Sequence, residues 1–463
     1  MSPAEREAFG KAARAAVPRS SHAELGLGPA RPDPVDLLIG QGESRVQDLL
    51  PIRYGRMLAS PFSFYRGAAL VMASDLSGTP RTGIRTQICG DAHLSNFGVF
   101  ASPERQLVFD INDFDETLPG PWEWDLKRLA ASLAVAGRDR NFDAAERAAI
   151  VMQAAREYRE SMLRFAPMSN LEVWYARQDL DDVKQLARET AGPKDKKQAK
   201  RLDKSLEKAR SKDSMKAFEK LTHVVDGQPR IISDPPLIVP IAELLPDLQR
   251  AAFQEETLSL LRSYRRTLPS DRRVLLESFR FGDFARKVVG VGSVGTRCWI
   301  VLLFGRDEKD PLFLQVKEAE ASVLEQFVGR SEYHTCGHRV VAGQQLMQTS
   351  SDIFLGWERA TGIDGVERDF YIRQLYDWKG SADIDRMVPK GMGLYARLCG
   401  WALARAHARA GDRIAIAAYL GKGQSFDRAI VAFAENYADQ NARDFENFKK
   451  AAESGRITAQ FGV

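Results

Sequence analysis

The chain has 463 residues, 44% of them hydrophobic and 28% charged, a composition ordinary for a soluble globular protein of two to three domains with a sizeable core. Its 66 Lys and Arg against 62 Asp and Glu leave a net charge of +4, and thirteen basic against six acidic residues fall within Val183 to Leu221 alone. Basic character therefore belongs to one insert, which argues against a protein that binds nucleic acid over its whole surface.

Residues 1–60, with Ala- and Arg-rich stretches and Pro29, Pro32 and Pro34, read as an arm carrying a short helix. The first forty residues hold Glu5, Arg6, Glu7, Lys11 and Arg14 and no apolar run. Neither a signal peptide nor a membrane-spanning helix is read there, and a cytoplasmic location is expected. Phe62 to Leu76 predicts a helix, and Arg53, Arg56 and Arg66 lie just before the strand that follows it. These arginines have the chemistry to meet an anionic substrate or a phosphate, but solvation or pairing with carboxylates is the more ordinary use.

Ile84, Thr86 and Ile88 alternate with Arg85, Gln87 and Cys89, the period of a strand with two different faces. The strand breaks at Gly90, and Asp91, His93 and Asn96 follow in a turn. A second strand is predicted at Leu107, Phe109 and Ile111, running into Asn112 and Asp113. Strand, loop and strand thus deliver acids together, with Asp110 and Asp115 as alternates to Asp113. Phosphoryl transfer needs an acid to orient the attacking hydroxyl and oxygen ligands for magnesium, and Asp91, Asn96 and Asp113 supply those groups. Asp and Asn also cap turns for purely structural reasons.

Next, Leu126, Leu129, Ala130, Leu133 and Ala134 recur at helical spacing behind Pro119 and Pro121, predicting a helix with a buried face. Asp125 near its start reads, from position alone, as a helix-capping acid. Phe142 to Arg164 continues as helix. Val183 to Leu221 predicts a charged helical hairpin broken at Gly192-Pro193, ordinarily a solvated face and alternatively a platform for RNA, an acidic protein or a membrane surface. Gly227 to Ile241 holds too many prolines for a helix and reads as a connection, and Leu244 to Leu268 is helical.

From Phe279 the pattern changes to strands. Gly290, Gly292 and Gly295 make G-x-G-x-x-G, with Ser293 among them, a motif shared with dinucleotide-binding folds. There a helix would open at the third glycine, whereas Thr296 to Phe304 is β-branched and aromatic. A glycine loop between two strands is expected instead, able to lie over phosphates. Lys317 follows in a strand, LQVKEA, as a phosphate ligand or else as a strand-edge charge. Glu325 is the best candidate to pair with it, with Glu320 and Glu318 behind. Arg339 to Gln345 and Tyr371 to Leu375 predict two more strands, the second leading into a hinge at Tyr376 to Ser381, and Leu394 to Arg409 predicts a helix stopped at Gly411. The four cysteines, 89, 298, 336 and 399, are scattered and read as reduced thiols, and His334, Cys336 and His338 make a poor zinc site.

The spacing of Asp91, Asn96 and a distal Asp-Phe resembles the catalytic and metal loops of the protein-kinase-like fold, and Gly90 to Asn96 is most similar to the G-D-x-H-x-x-N loop of aminoglycoside and choline kinases. Cys89 stands where those enzymes usually carry histidine. The order of parts departs from theirs, since the catalytic half comes first and the glycine loop, lysine, hinge and long helix come last. The segments SPFSFYRG, CGDAHLSNFG, INDFDE, WEWDLKRLA, LQVKEA and LARAHARAGD, in that order, resemble an uncharacterised bacterial family, a domain of unknown function, from about residue 40 onward.

The resemblance implies an α+β, two-lobed, circularly permuted kinase-like fold with a basic helical insert. Its parts are an arm (1–60), a helical lobe with the catalytic and metal loops (61–270), a β-rich nucleotide lobe and hinge (271–380), and returning helices (381–463). It implies ATP and Mg2+ as cofactors, Asp91 as the catalytic acid with His93 and Asn96 in its loop, and Asn96 and Asp113 as metal ligands. Gly290, Gly292, Ser293, Gly295, Lys317 and Glu325 would serve the nucleotide, and Asp125 would support the loop. The expected reaction is phosphoryl transfer to a hydroxyl-bearing small molecule. Transfer of AMP to a protein, and a non-enzymatic scaffold working through its basic hairpin, are the alternatives. The permuted order further predicts that the helix ending near Arg409 lies beside the strand Ile84 to Ile88.

Overall fold

The computed structural model describes residues 1–179, 181–185, 204, 206–245, 247–362, 364–375 and 377–463. Most of the expected basic hairpin, with its Gly192-Pro193 break, lies outside the described residues. So does Tyr376 of the expected hinge.

Residues 1–60 are not a loose arm. They form α1 (Pro3–Ala16), α2 (Pro34–Gly42) and α3 (Leu50–Met57), the first two opened by the N-caps Ser2 and Asp33. Val35, Leu38, Tyr54 and Met57 are buried against Phe64, Phe445 and Phe448, so the segment is built into the body. The helix predicted over Phe62–Leu76 is two helices, α4 (Pro61–Gly67) and α5 (Ala69–Ser77), parted where Ala68 leaves helical geometry at φ −110°, ψ 38°.

Four short strands follow: β1 (Arg85–Ile88), β2 (Phe97–Ala101), β3 (Leu107–Ile111) and β4 (Leu118–Pro121). β1 pairs antiparallel with β4, and β2 with β3. The chain then enters α6 (Trp122–Asp139) and α7 (Ala144–Phe165). Nearly every residue of α6 is buried, which makes it the axis of the helical body. Even Lys127 is enclosed, its ammonium 4.7 Å above the ring of Phe433.

After α8 (Ser214–Leu221), the proline-rich stretch read as a connection contains β6 (Gln228–Ile231), paired with β5 (Thr222–Val225), and β7 (Ile238–Pro240). Proline is admitted there because β7 is an edge strand, where a missing N–H costs no ladder bond. Helix α9 (Asp247–Tyr264) precedes β8 (Arg280–Lys287), β9 (Cys298–Phe304) and β10 (Pro311–Ala319). The run Arg339–Gln345, predicted as a strand, lies inside helix α10 (Cys336–Met347). Thr335 caps its N-terminus, and Val340, Val341, Gln344 and Met347 are buried at helical spacing. β11 (Gly356–Thr361), β12 (Glu367–Gln374) and β13 (Gly380–Ser381) lead into α11 (Pro389–Ala410), α12 (Arg413–Leu420) and α13 (Ser425–Glu453).

One antiparallel sheet, β11-β12-β10-β9-β8-β7, dominates the β half. Strand alternation sends Trp299, Val301 and Leu303 with Leu314 and Val316 to one face, covered by Tyr264 at the end of α9, and Ile300, Leu302 and Phe313 to the other. Lys317 shares the latter face, opposite Cys298 on β9 and Tyr371 on β12. The main core joins Leu129 and Leu133 of α6, Tyr158 of α7, Leu403 of α11 and Phe433 of α13. Among the described residues no helix is long and apolar enough to cross a membrane. The four cysteines are free thiols.

Candidate active site beneath the glycine loop

β1 ends at Ile88, and Gly90 turns the chain at φ 81°, where a Cβ would stand 2.6 Å from the carbonyl oxygen of Glu116. Asp125, one turn into α6, accepts the amide protons of Cys89 at 2.8 Å and Gly90 at 2.9 Å, one on each oxygen. These two bonds tie the start of the turn to α6. His407 on α11 lies 3.2 Å from the same carboxylate through Nε2 and 2.8 Å from the Tyr158 hydroxyl through Nδ1. Thr86 and Gly411 form an antiparallel bridge, so the end of α11 lies beside β1 as the chain order predicted.

Asp91 is held by Arg128, whose Nε donates at 2.8 Å and whose Nη2 stands 2.7 Å from the same Oδ1. Burial pushes the Asp91 carboxyl above its ordinary value, and Arg128 opposes that shift. The guanidinium also lies 4.0 Å over the ring of Tyr65. Sequence reasoning missed Arg128, although it follows Asp125 by three residues on one helix face. Asn96 donates its amide to the backbone carbonyl of Asp91 at 2.8 Å, which turns the nitrogen inward and leaves the oxygen as the atom chemically able to coordinate a cation. His93 accepts the Ser95 amide through Nδ1, and burial keeps its pKa well below the usual value, so the ring is neutral.

The three aspartates after β3 have different surroundings. Asp110 is fully buried in an ion pair with Arg405 of α11 and accepts from Thr349, so the guanidinium has already claimed it and it is no metal ligand. Asp115 takes the Lys317 ammonium at 2.6 Å and the Tyr371 hydroxyl at 2.6 Å. Burial pushes its carboxyl up, but Lys317 and Tyr371 together hold it below the ordinary range. Asp113 stands 3.9 Å from Lys317 and is pushed up, first by burial and then by the charge of Asp115. Burial alone would lower the Lys317 pKa, and the two carboxylates more than offset it.

Glu325 is not the partner of Lys317. It opens a short helix, Glu325–Val328, at the rim of the cleft. Glu318 pairs with Arg297 and Arg368, and Glu320 offers its carbonyl to Arg339. Arg339 in α10 also donates to the carbonyls of Thr117 at 2.7 Å and Asp115 at 2.8 Å. Helix α10 thus fixes the backbone around Asp115 and Thr117 with an arginine, and Asp115 pairs with the lysine.

The glycine loop spans Val288–Arg297 between β8 and β9, as expected. Residues from the segment read as an arm hold it. Arg45 donates to the carbonyls of Gly292 and Val294, Arg56 to that of Gly290, and the Val46 amide to that of Gly295. Beneath the loop lies a cleft of about 880 Å³ lined by Asp91, His93, Asn96, Asp113 and Asp115, with Gly290, Gly292 and Ser293 above. Lys317 reaches it through Asp115. In the segment expected as a hinge, Gly380 and Ser381 pair with β2, the strand that follows the turn holding Asp91 and Asn96.

Asp113, Asp115 and the Asn96 amide offer oxygen only, the donor set that suits magnesium. Among the described residues no group of three or more His, Cys, Asp or Glu is arranged to cage a metal. This applies to His334, Cys336 and His338 too, for His338 is stacked on Trp357 at 4.0 Å.

Cleft and fold together define an α+β protein whose acids lie between an antiparallel sheet and a helical body. The model of a bacterial family described as "Uncharacterized protein conserved in bacteria (DUF2252)" matches residues 45–451, and the chain belongs to that family. No curated protein and no solved structure matches it.

Proposed function

We propose that the protein is an ATP- and magnesium-dependent phosphotransferase acting on a hydroxyl-bearing small molecule, on a circularly permuted kinase-like fold. The observation that carries this reading is the gathering of Asp91, Asn96, Asp113 and Asp115 in one cleft under a glycine loop, with Lys317 bonded to Asp115. Asp91, oriented by Arg128, takes the proton of the acceptor hydroxyl as its oxygen bonds to the γ-phosphorus. The bond from that phosphorus to the β,γ-bridging oxygen breaks, and ADP leaves. Asn96 and Asp113, with Asp115, would hold magnesium, which when bound neutralises phosphate charge. Lys317 would exchange part of its pairing with Asp115 for the phosphates.

Purified protein should be stabilised against heat by ATP with Mg2+. Asp91→Asn should keep that stabilisation and lose about 10²–10⁴-fold in transfer rate. Undiminished transfer in Asp91→Asn, or a wild type that neither binds nor hydrolyses ATP, overturns the reading.

A second reading, AMP transfer from ATP lying the other way round, draws on a different observation. Arg373 and Lys379 join Lys317 around Asp113, and the Arg373 charge leads in pushing the Lys379 ammonium down to about 7. A triphosphate reaching toward the hinge would meet those two cations. The mass added to an acceptor, phosphate or adenylate, separates the readings.

A further inference from the structure

Arg66 sits in the last turn of α4, and its side chain lines the same cleft as Asp91, His93 and Asn96. Its neighbours are committed elsewhere: Arg45 and Arg56 to the glycine loop, Arg128 to Asp91, and Arg53 to Gln41 and the carbonyl of Gly67. Arg66 differs: no hydrogen bond or ion pair within 4 Å reaches its half-buried guanidinium among the described residues, and its Nε, like those of Arg45 and Arg53, is buried without a partner. Arginine stays charged when buried, and an unmatched buried donor carries the full cost of its lost hydration. The acids that feel its charge are Asp91, already bonded to Arg128, and the exposed Asp385. The same charge helps keep His93 neutral.

We infer that Arg66 is the anion-binding residue of the acceptor subsite: the compound phosphorylated carries, beside its hydroxyl, a compact oxyanion that takes the free guanidinium fork while the hydroxyl faces Asp91. The fork matches a carboxylate or a phosphate through two parallel N–H bonds. Glu320 and Glu325 on the rim oppose an extended polyanion, which restricts the acceptor to one such group. The inference rests on the phosphotransferase reading, because that reading makes Asp91 the group the hydroxyl approaches.

The test titrates inorganic phosphate, and separately acetate, into the full chain saturated with the ATP analogue AMP-PNP and Mg2+, so that the nucleotide side is filled. Wild type should bind at least one of the two anions in a salt-sensitive way, and the one that binds identifies the class of group. Arg66→Gln should weaken that binding at least about tenfold and Arg66→Lys by less, with the affinity for AMP-PNP equal in all three. No anion binding by loaded wild type, or equal binding by Arg66→Gln, overturns the inference. So does weaker AMP-PNP binding in Arg66→Gln, which would put Arg66 on the nucleotide. If wild type fails to bind AMP-PNP, the phosphotransferase reading falls instead, and the same titration without nucleotide decides Arg66.

Discussion

Asp110, Asp113 and Asp115 stand within six residues of one another and do three different things. Asp110 closes a buried ion pair with Arg405, Asp115 neutralises Lys317, and Asp113 is left beside them with a raised pKa. Removing one member of a buried pair leaves an uncompensated charge, so Asp110→Ala should cost about 3–5 kcal/mol. Asp113→Ala relieves a like-charge contact with Asp115 and should leave the urea midpoint of the nucleotide-free protein unchanged or higher, while abolishing magnesium-dependent turnover. Urea unfolding of the two variants side by side checks this. A midpoint lowered equally in both would remove the distinction. That acids collect at the end of β3 was legible from the alternation of Leu107, Phe109 and Ile111 followed by Asp113. Which acid meets which cation was not, because Arg405 and Lys317 lie two to three hundred residues away.

Among elements, the turn from β1 into the loop carrying Asp91 depends on α6 and α11 together. Two charge-assisted bonds from Asp125 hold the Cys89 and Gly90 amides, and His407 braces the same carboxylate. Asp125→Asn offers one acceptor oxygen where two are needed, so one amide loses its partner. It should lower stability by about 1–3 kcal/mol and speed hydrogen exchange at Cys89 or Gly90, read by mass spectrometry. Unchanged exchange at both would mean the loop holds itself. The supporting role of Asp125 came from the kinase-like resemblance; its place at the helix start alone fits a capping acid equally well. Helix α10 was not readable as a helix: Val340 and Val341 favour strands locally, and the burial of one helical face overrides that preference. Misreading it also concealed Arg339, whose bonds to Thr117 and Asp115 exist only because a helix presents it there.

On the scale of the whole molecule, the first sixty residues connect the two sides of the cleft. Val35 and Tyr54 pack with Phe445 and Phe448 near the C-terminus, while Arg45 and Arg56 reach the glycine loop. A chain lacking residues 1–60 would expose that apolar cluster and release the loop, and it should show no cooperative thermal transition. Arg45→Ala should keep the fold and weaken ATP binding, measured by calorimetry. A truncated chain that melts cooperatively and binds ATP as tightly as wild type would reduce the segment to an appendage.

Residue spacing by itself determined the strand ends, the glycine loop between β8 and β9, the helix that carries Asp125, and the collection of acids that marks the cleft. Each of these is a local matter, set by side-chain alternation, helical period and the backbone freedom of glycine over ten to twenty residues. Only the tertiary structure decided that Arg128 orients Asp91, that Asp115 takes the place expected for Glu325, and that Arg66 has no hydrogen-bond or ion-pair partner among the described residues. Pairing of charges depends on distance and burial rather than on chain order, and both are properties of the packed molecule.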